Sequence, residues 1–231
     1  VTVKEVENIP YAYEISDYDY IAGLKSFQDG MYQIQDISSM LAGEYTAPKA
    51  GDTIVDVCGA PGGKSINAAL KMLEQGDCGR VIARDLSDYK VALIDENIKR
   101  LNITNIQTQV YDALDCDESL INKADIVIAD LPCSGLGIIG RKPDIKYNAS
   151  PEKLQSLVDL QRDILKVVSR YVKSGGVLMY STCTINRAEN EDNADWICKE
   201  SGFTKDGEYH QLLPANNSGM DGFFVARLIK S

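Results

Sequence analysis

Short apolar runs alternate with longer amphipathic segments along most of the chain. Runs suited to buried parallel strands occupy residues 53–57, 79–85, 106–110, 124–130 and 177–180. Segments whose apolar residues have the spacing of an amphipathic helix lie between these runs, at residues 66–74, 87–101 and 150–171, and after the last of them, at residues 189–199. This order of strands and helices is typical of a doubly wound α/β domain.

The two ends of the chain carry weaker patterns. Residues 30–35 (GMYQIQ) are strand-like, and residues 36–44 are helix-like with Asp36 as a suitable N-cap. Residues 202–209 and 222–229 have the apolar content of a closing pair of strands. Residues 1–30 are acidic and rich in tyrosine, and the chain begins with Val1, so we expect a fragment of a longer protein that opens with a linker.

The stretch DVCGAPGGKS, residues 56–65, lies between the first strand and its helix. Glycines there allow a ligand to approach the main chain closely, and the start of the helix offers free N–H groups. The spacing matches neither the phosphate-binding loop nor the dinucleotide fingerprint G-x-G-x-x-G. A tight turn without a ligand is the alternative at this point.

Polar side chains stand at or just past the ends of successive strands. Asp85 ends the second strand about 20 residues beyond the glycine-rich loop, where this fold places a carboxylate on ribose hydroxyls. Asp112 and Asp130 follow the third and fourth strands. Helix capping is the alternative for Asp85, but Ser87 is better placed to cap the next helix. A series of acids at one edge of the sheet favours a ligand site.

Six cysteines are scattered along the chain, and two of them stand in polar loops after strands, Cys133 in PCSG and Cys183 in STCT. A single cysteine after a strand is often only a small buried apolar residue. Two at the same sheet edge favour a thiolate nucleophile and a partner. Without a C-x-x-C pair and with His210 as the only histidine, the sequence argues against zinc and against a Ser-His-Asp triad.

Composition and charge narrow the class of protein. The chain is 44% hydrophobic and 25% charged, and no apolar run is long enough to cross a membrane. Reduced thiols indicate a cytoplasmic enzyme. The net charge of −10 argues against a globally basic nucleic-acid binder, yet residues 141–173 hold eight basic and four acidic residues. We expect Arg141, Lys142 and Lys146 to contact phosphates; solvated helix faces are the alternative.

Three motifs, DVCGAPGGKS, DLPCSGLGIIGRKPDIKY and YSTCTINRAENEDN, resemble those of the RNA cytosine-5 methyltransferases of the RsmB (Fmu/Sun) family. The resemblance covers about residues 30–230. It implies a Rossmann-like methyltransferase fold with a seven-stranded, mostly parallel sheet and an antiparallel last strand. Residues 31–231 would be the catalytic domain, and residues 1–30 the remnant of an N-terminal RNA-binding region and a linker.

The resemblance also implies roles for individual residues. The cofactor would be S-adenosylmethionine, with Asp85 on the ribose and Asp112 near the adenine. Its binding set would be Cys58, Gly59, Ala60, Pro61, Gly62, Gly63, Lys64, Asp85, Asp112 and Asp130. Cys183 would be the nucleophile, and Cys133 would assist product release. Asp130, protonated, would bond the cytosine ring nitrogen, and Lys64 would lower a cysteine pKa or hold the substrate, unless it is only a solvated helix lysine.

The expected partner is RNA, ribosomal RNA before transfer RNA, with no metal and a monomeric enzyme. The alternative from another class is a cofactor-binding module without catalysis that serves in RNA binding or ribosome assembly. An amino-group methyltransferase would carry an N/D-P-P-Y/F loop after the fourth strand. The chain has Asp130-Leu131-Pro132-Cys133 there, which argues against that reaction.

Overall fold

The computed structural model describes residues 1–7, 9–76, 79–214 and 220–231. The strands in these ranges are β1 (Thr2–Glu5), β2 (Tyr13–Ser16), β3 (Thr53–Asp56), β4 (Arg80–Asp85), β5 (Ile106–Val110), β6 (Ala124–Asp130), β7 (Val172–Thr182), β8 (Phe203–Lys205), β9 (His210–Leu212) and β10 (Phe223–Lys230). The α-helices are α1 (Lys25–Gln28), α2 (Ile37–Thr46), α3 (Gly63–Glu74), α4 (Asp88–Leu101), α5 (Ile145–Asn148), α6 (Pro151–Val168) and α7 (Glu191–Ser201).

One mixed sheet organises the domain. Its strand order is β5-β4-β3-β6-β7-β10-β8, and the short β9 also pairs with β10. Strands β3 to β7 run parallel, and β10 pairs antiparallel with β7. The predicted Rossmann-like α/β architecture, with its mostly parallel sheet and antiparallel last strand, is therefore confirmed, and with β9 the sheet has eight strands where seven were predicted.

The two faces of the sheet each bury a separate apolar cluster. Successive side chains of a strand point to opposite faces, so Val127 packs on one face and Ile128 on the other. Helices α6 and α7 cover the first face, and α2 and α3 cover the second. Both faces of the central strands are thus buried, which explains why these strands read as continuous apolar runs in the sequence.

Helix caps were predicted correctly from the sequence. The Asp36 side chain accepts the Ser38 N–H at the start of α2, and Ser87 accepts the Lys90 N–H at the start of α4. Ser150 caps α6 in the same way, with a proline in the first turn. These caps fix where each helix leaves the carboxyl edge of the sheet.

The segment 30–35 is not a strand, contrary to the prediction. It runs without a ladder partner from a turn at Gly30 to the cap of α2. Alternating apolar and polar residues make a strand only where a neighbouring strand accepts their main-chain bonds. Residues 1–30, expected to be a linker, contain the hairpin of β1 and β2 and the short α1. That they derive from an RNA-binding region stays a prediction.

Strand β7 begins earlier than predicted. Helix α6 ends at Val168 instead of residue 171, and β7 starts at Val172. The sequence Ser174-Gly175-Gly176 is a bulge inside β7: Val172 lies opposite Ala124, while Val177 lies opposite Ile126. Gly175, with φ 73°, adopts the left-handed conformation that this bulge requires.

The closing strands also differ in detail from the prediction. Instead of one strand over residues 202–209, the short β8 and β9 both pair with β10. Helix α7 begins at Glu191, two residues after the predicted start, and its Trp196 packs half-buried against the core. No helix in the described part of the chain is both long and apolar enough to cross a membrane.

Candidate active site

The glycine-rich loop joins β3 to α3 through a tight turn. Gly59 N–H donates to the Arg84 carbonyl at 2.7 Å, and Gly62 N–H donates to the Gly59 carbonyl at 2.6 Å. Gly62 has φ +106°, a conformation that L side chains rarely adopt, and a Cβ there would also lie 3.1 Å from Ile66 Cδ1. The turn therefore needs glycine at this position, and it exposes the loop main chain toward a cavity.

A cavity of about 270 Å³ lies between this loop and the segment that enters α2. It is lined by Gln33, Ile34, Gln35, Asp36, Ser39, Asp56, Cys58, Gly59, Ala60, Pro61, Gly63, Lys64 and Asp130. Seven predicted cofactor residues are among them. Gly62 is not among them, because its Cα faces Ile66 and Ile94.

Asp85 and Asp112, also predicted to bind the cofactor, stand at the ends of the next two strands and outside this lining. The buried Asp85 carboxylate accepts Ala60 N–H at 3.1 Å and Leu86 N–H at 2.8 Å, and it pairs with Lys90 at 3.0 Å. It therefore ties β4 to the glycine-rich loop, and capping of α4 falls to Ser87 as predicted. Asp112, half-buried, accepts the Leu114 N–H at 2.9 Å.

Lys64 and Asp130 form a contact across the floor of the cavity. Lys64 Nζ lies 2.6 Å from Asp130 Oδ2 and 3.0 Å from Ser39 Oγ. Lys64 is only 9% exposed, so the interpretation of a solvated helix lysine is wrong. Ser181 donates its hydroxyl to Asp130 Oδ1 at 2.7 Å. Each oxygen of Asp130 thus accepts a donor, and the predicted bond from a protonated Asp130 to a base requires one of these donors to give way.

The two predicted catalytic cysteines meet at the carboxyl edge of the sheet. Asp130 on β6 lies opposite Ser181 on β7, so the loops that follow these parallel strands are neighbours. Cys133 Sγ and Cys183 Sγ are 3.2 Å apart, and both residues are partly buried. The spatial pairing of residues 50 positions apart is what a nucleophile and its partner require.

Close contact between the cysteine loops depends on a glycine. Gly137 N–H donates to the Cys183 carbonyl at 3.1 Å, and Gly222 N–H donates to the Gly137 carbonyl at 2.9 Å. A Cβ on Gly137 would lie 2.3 Å from the Gly222 oxygen and 2.8 Å from the Cys183 oxygen. Any larger residue would therefore push the two loops apart.

Hydrogen bonding and charge distinguish the two thiols. The hydrogen bond from the Cys133 thiol lowers the pKa of Cys183, against the effects of burial and of the Asp130 charge, and the Lys64 ammonium lowers it further. The same hydrogen bond is the main cause that raises the pKa of Cys133, and burial raises it further. Of the two thiols, Cys183 is therefore the one that ionises more readily, and Cys133 is the one that keeps its proton more firmly. Burial and nearby acids raise the pKa of Cys58, which stays a thiol.

The predicted phosphate contacts lie on the loop after Cys133, and the structure separates them. Arg141 Nη2 lies 2.5 Å from Asp36 and Arg141 Nε lies 3.0 Å from Asp221, so this side chain ties the loop to the cavity wall. Lys142 and Lys146 are exposed. Arg141 is exposed as well, with 57% of its side chain open to solvent, so its two ion pairs and not burial distinguish it from the lysines.

Sequence analysis missed three polar residues of the site. Ser39 and Ser181 contact the Lys64–Asp130 pair, and Asp56 lies beneath the loop, 1% exposed, where it accepts the Ser65 hydroxyl at 2.6 Å. Ser181 could have been found from its place in YSTCT, two residues before Cys183. Asp56 could have been found as the acid that ends the first core strand.

The cavity fits the predicted cofactor. Asp56 Oδ1 is buried and has no hydrogen-bond partner. Asp36, Asp56 and Asp130 place three carboxyl groups on the cavity wall against one lining cation, Lys64, with Arg141 also paired to Asp36. S-adenosylmethionine carries a sulfonium and an ammonium group, and both positive charges suit such a wall. Among the described residues, no cluster of three or more His, Cys, Asp or Glu side chains could hold a metal ion.

Asp56 predicts a pH-dependent contribution to stability. Burial raises the pKa of its carboxyl from 3.8 to about 7. The unfolded chain therefore loses this proton first, and the free energy of unfolding falls as pH rises from about 4 to 7. Asp56→Asn keeps an acceptor for Ser65 and cannot ionise. In urea titrations, we expect the stability of the variant relative to wild type to rise by about 1.4 kcal/mol per pH unit between pH 5 and 7. If the free energies of unfolding of the two proteins changed with pH in parallel, the raised pKa of Asp56 would be wrong.

Comparisons with known proteins agree with this geometry. The model of the family "16S rRNA methyltransferase RsmB/F" matches residues 44–229. The probable ribosomal RNA small subunit methyltransferase B of Bacillus subtilis (strain 168) is 38% identical over 229 residues, which cover 91% of this chain and 50% of that protein. The corresponding protein of Synechocystis sp. is 34% identical over 228 residues, with the same coverage of 91% and 50%.

Solved structures show the same likeness. NSun6 from Pyrococcus horikoshii, solved with SFG, superposes with a TM-score of 0.81 at 28% identity, over 92% of this chain and 56% of that chain. The chain spans about half the length of the curated relatives it matches. The resemblance found in the three sequence motifs is confirmed: this chain belongs to the RsmB/F family of 16S rRNA methyltransferases.

Proposed function

We propose that this chain transfers a methyl group from S-adenosylmethionine to carbon 5 of a cytosine in ribosomal RNA, through a covalent bond to Cys183. The observation that carries the proposal is the thiol pair, Cys133 and Cys183, 3.2 Å apart at the end of adjacent strands. Near the cavity of about 270 Å³, one thiol can form the covalent bond and the other can assist the separate release step. The names of the curated relatives support ribosomal RNA as the substrate.

The need for a thiolate follows from the cytosine ring. Carbon 5 is a poor nucleophile, but a thiolate that adds to carbon 6 makes carbon 5 electron-rich. The Cys183 thiolate forms the bond to carbon 6, and carbon 5 then takes the methyl group. The cofactor supplies that electrophilic methyl group. A base next removes the proton from carbon 5, and the electron pair left behind expels Cys183 and restores the ring.

Cys133 and the Lys64–Asp130 pair are placed to support these steps. Cys133 holds the proton of the pair while Cys183 attacks, and Cys133, or a water that it positions, is the candidate base at carbon 5. Lys64 stabilises the Cys183 thiolate through its charge. Asp130, at hydrogen-bond distance from Lys64, is placed to bind the polar edge of the cytosine.

The target cytosine must leave any helix to reach this site. A base inside a duplex is stacked and closed to a thiol, so the substrate is a loop or a flipped nucleotide. The exposed lysines Lys142 and Lys146, on the loop after Cys133, are placed to contact phosphates next to that nucleotide.

The double substitution of Lys142 and Lys146 by alanine tests this contact. Each lysine that neutralises a phosphate adds about 0.7 to the slope of log affinity against log salt for single strands. We expect the variant to bind RNA more weakly and to reduce that slope by about 1.4, with cofactor affinity unchanged. Lys123→Ala, an exposed lysine just before β6 at the opposite edge of the sheet, is the control. An unchanged slope in the double variant would remove these lysines from the RNA contact.

Nucleoside analysis of the product tests the reaction itself. The full-length protein is incubated with isotopically labelled S-adenosylmethionine and small-subunit ribosomal RNA that lacks modifications, with transfer RNA in parallel. We expect the label in 5-methylcytidine from ribosomal RNA. Label in transfer RNA alone would show that transfer RNA, and not ribosomal RNA, is the substrate. Label in another nucleoside would contradict methyl transfer to carbon 5 of cytosine. Intact cofactor binding without any incorporation would favour the non-catalytic module.

A further inference from the structure

A buried polar network surrounds the cysteine loops on the side away from the cofactor cavity. Gln161 of α6, Glu189, Asn190 and Asn193 are all 0% exposed. Sequence patterns assign such residues to solvent, and their burial costs free energy unless each polar atom finds a partner. Three of them, Gln161, Glu189 and Asn190, bond to the residues directly before and after Cys133 and Cys183, and Asn193 bonds to Gln161.

The Cys133 loop is held on both sides of the cysteine. Gln161 Nε2 donates to the Pro132 carbonyl at 2.9 Å, and the Ser134 N–H donates to Glu189 Oε2 at 2.9 Å. Gln161 Nε2 also donates to the same Glu189 oxygen at 2.9 Å. Glu189 follows Cys183 in the chain, so its carboxylate joins the Cys133 loop to the segment that carries Cys183.

The Cys183 loop is held in the same manner. Thr182 Oγ1 donates to Asn190 Oδ1 at 2.5 Å, and Asn190 Nδ2 donates to the Thr184 carbonyl at 3.0 Å. The Ser134 and Thr184 hydroxyls, one residue past each cysteine, bond to each other at 2.7 Å. Each residue next to a reacting thiol is therefore bonded to the network, three through the main chain and Thr182 through its hydroxyl.

From these contacts we propose that Glu189 and Asn190 are positioning residues, which hold the two cysteine loops at the separation where the thiols share a hydrogen bond. The inference rests on the proposed function for its catalytic meaning, but the geometry that it describes exists without substrate. Other charged or titratable groups that face Cys183 are Asp130 at the end of β6 and Lys64 on α3, and neither contacts Glu189 or Asn190 through an identified bond.

Glu189→Gln is the sharpest single change. The Glu189 side chain accepts three N–H donors, since Asn186 Nδ2 donates to Oε1 at 2.9 Å. Glutamine keeps the shape but sets an NH₂ group against at least one of these donors. We expect the Cys133 loop to shift and the Cys133–Cys183 hydrogen bond to weaken. The exposed Glu200 on α7, the helix that follows Glu189, gives a matched control, Glu200→Gln.

The test measures alkylation of Cys183 by iodoacetamide against pH, by peptide mass spectrometry, on the full chain without RNA or cofactor. The proposal predicts that Glu189→Gln slows alkylation at pH 7 about tenfold and shifts the profile about one unit upward, while Glu200→Gln matches wild type. In a Cys133→Ala background, where the thiol donor is already lost, Glu189→Gln should add no further shift. Thermal unfolding verifies that each variant is folded.

Two outcomes overturn the proposal. One is a folded Glu189→Gln protein with the wild-type profile. The other is an equal shift with and without Cys133, which is the behaviour of a general structural role. If Glu189→Gln does not fold, Asn186→Ala removes the bond to Oε1, together with the one that the Ala188 N–H donates to Asn186 Oδ1 at 3.2 Å. This variant should give a smaller shift in the same direction, also dependent on Cys133, and no shift would reject the proposal. Because the assay uses no methyl transfer, its failure is distinct from failure of the proposed reaction.

Discussion

Cys183→Ala is expected to abolish methyl transfer to RNA while cofactor binding is retained. Without the thiolate, carbon 5 of cytosine has no means of becoming nucleophilic, so the rate should fall by at least about 10⁴-fold, beyond detection. Cys183 does not line the cofactor cavity. Calorimetric titration should therefore give an affinity for S-adenosylmethionine within about twofold of wild type, and a filter assay with labelled cofactor should give no incorporation.

Cys198→Ala is the matched control for this experiment. Cys198 is a partly buried, reduced cysteine on α7 that packs against the core away from the site. We expect it to keep wild-type turnover. Turnover by Cys183→Ala at a rate near that of Cys198→Ala would exclude Cys183 as the nucleophile.

Cys133→Ala is expected to accumulate a covalent protein–RNA complex. In the proposed reaction Cys183 still adds to carbon 6 and carbon 5 still takes the methyl group, but no thiol remains to promote loss of the carbon 5 proton. The complex therefore stays bound through Cys183 and migrates slowly on a denaturing gel. Turnover should fall by about 10² to 10³-fold, in the range of a lost acid–base group.

The same substitution also affects the first step, which gives a second test. Removal of the Cys133 thiol takes away the hydrogen bond that lowers the pKa of Cys183. At pH 7 the variant should form the complex more slowly than the wild-type protein reacts. At pH 8.5 the variant should form it faster than it does at pH 7, because more Cys183 is ionised. The double variant Cys133→Ala/Cys183→Ala should give no complex. Clean turnover by Cys133→Ala without a complex would show that another group releases the product.

The sequence predicts the strands that position the site because those strands are buried on both faces. Residues 124–130 (ADIVIAD) form a nearly continuous apolar run, and the structure assigns β6 the same bounds. The polar residues at the carboxyl ends of these strands then follow from topology, since parallel strands end at one edge. The meeting of Cys133 and Cys183 was predictable for this reason, although their 3.2 Å separation was not.

What the sequence does not predict depends on tertiary contacts. Residues 30–35 have a strand-like pattern, but no neighbouring strand accepts their hydrogen bonds. Arg141 suggests a phosphate contact, yet two acids distant in sequence, Asp36 and Asp221, pair with it. Glu189 and Asn190 were assigned to the polar start of a helix, and they are instead buried beneath the cysteine loops. The polarity of a residue does not show which residue, distant in the sequence, it will contact in the folded chain.

Mass spectrometry of the complex trapped by Cys133→Ala identifies the sulfur atom that bonds to the RNA. The complex is digested with trypsin and nuclease, and the modified peptide and its nucleotide are identified by fragmentation. We expect a methylated cytidine joined to the Cys183 sulfur. A nucleotide on any other cysteine, or a Cys183 adduct with the methyl group away from carbon 5, would contradict it.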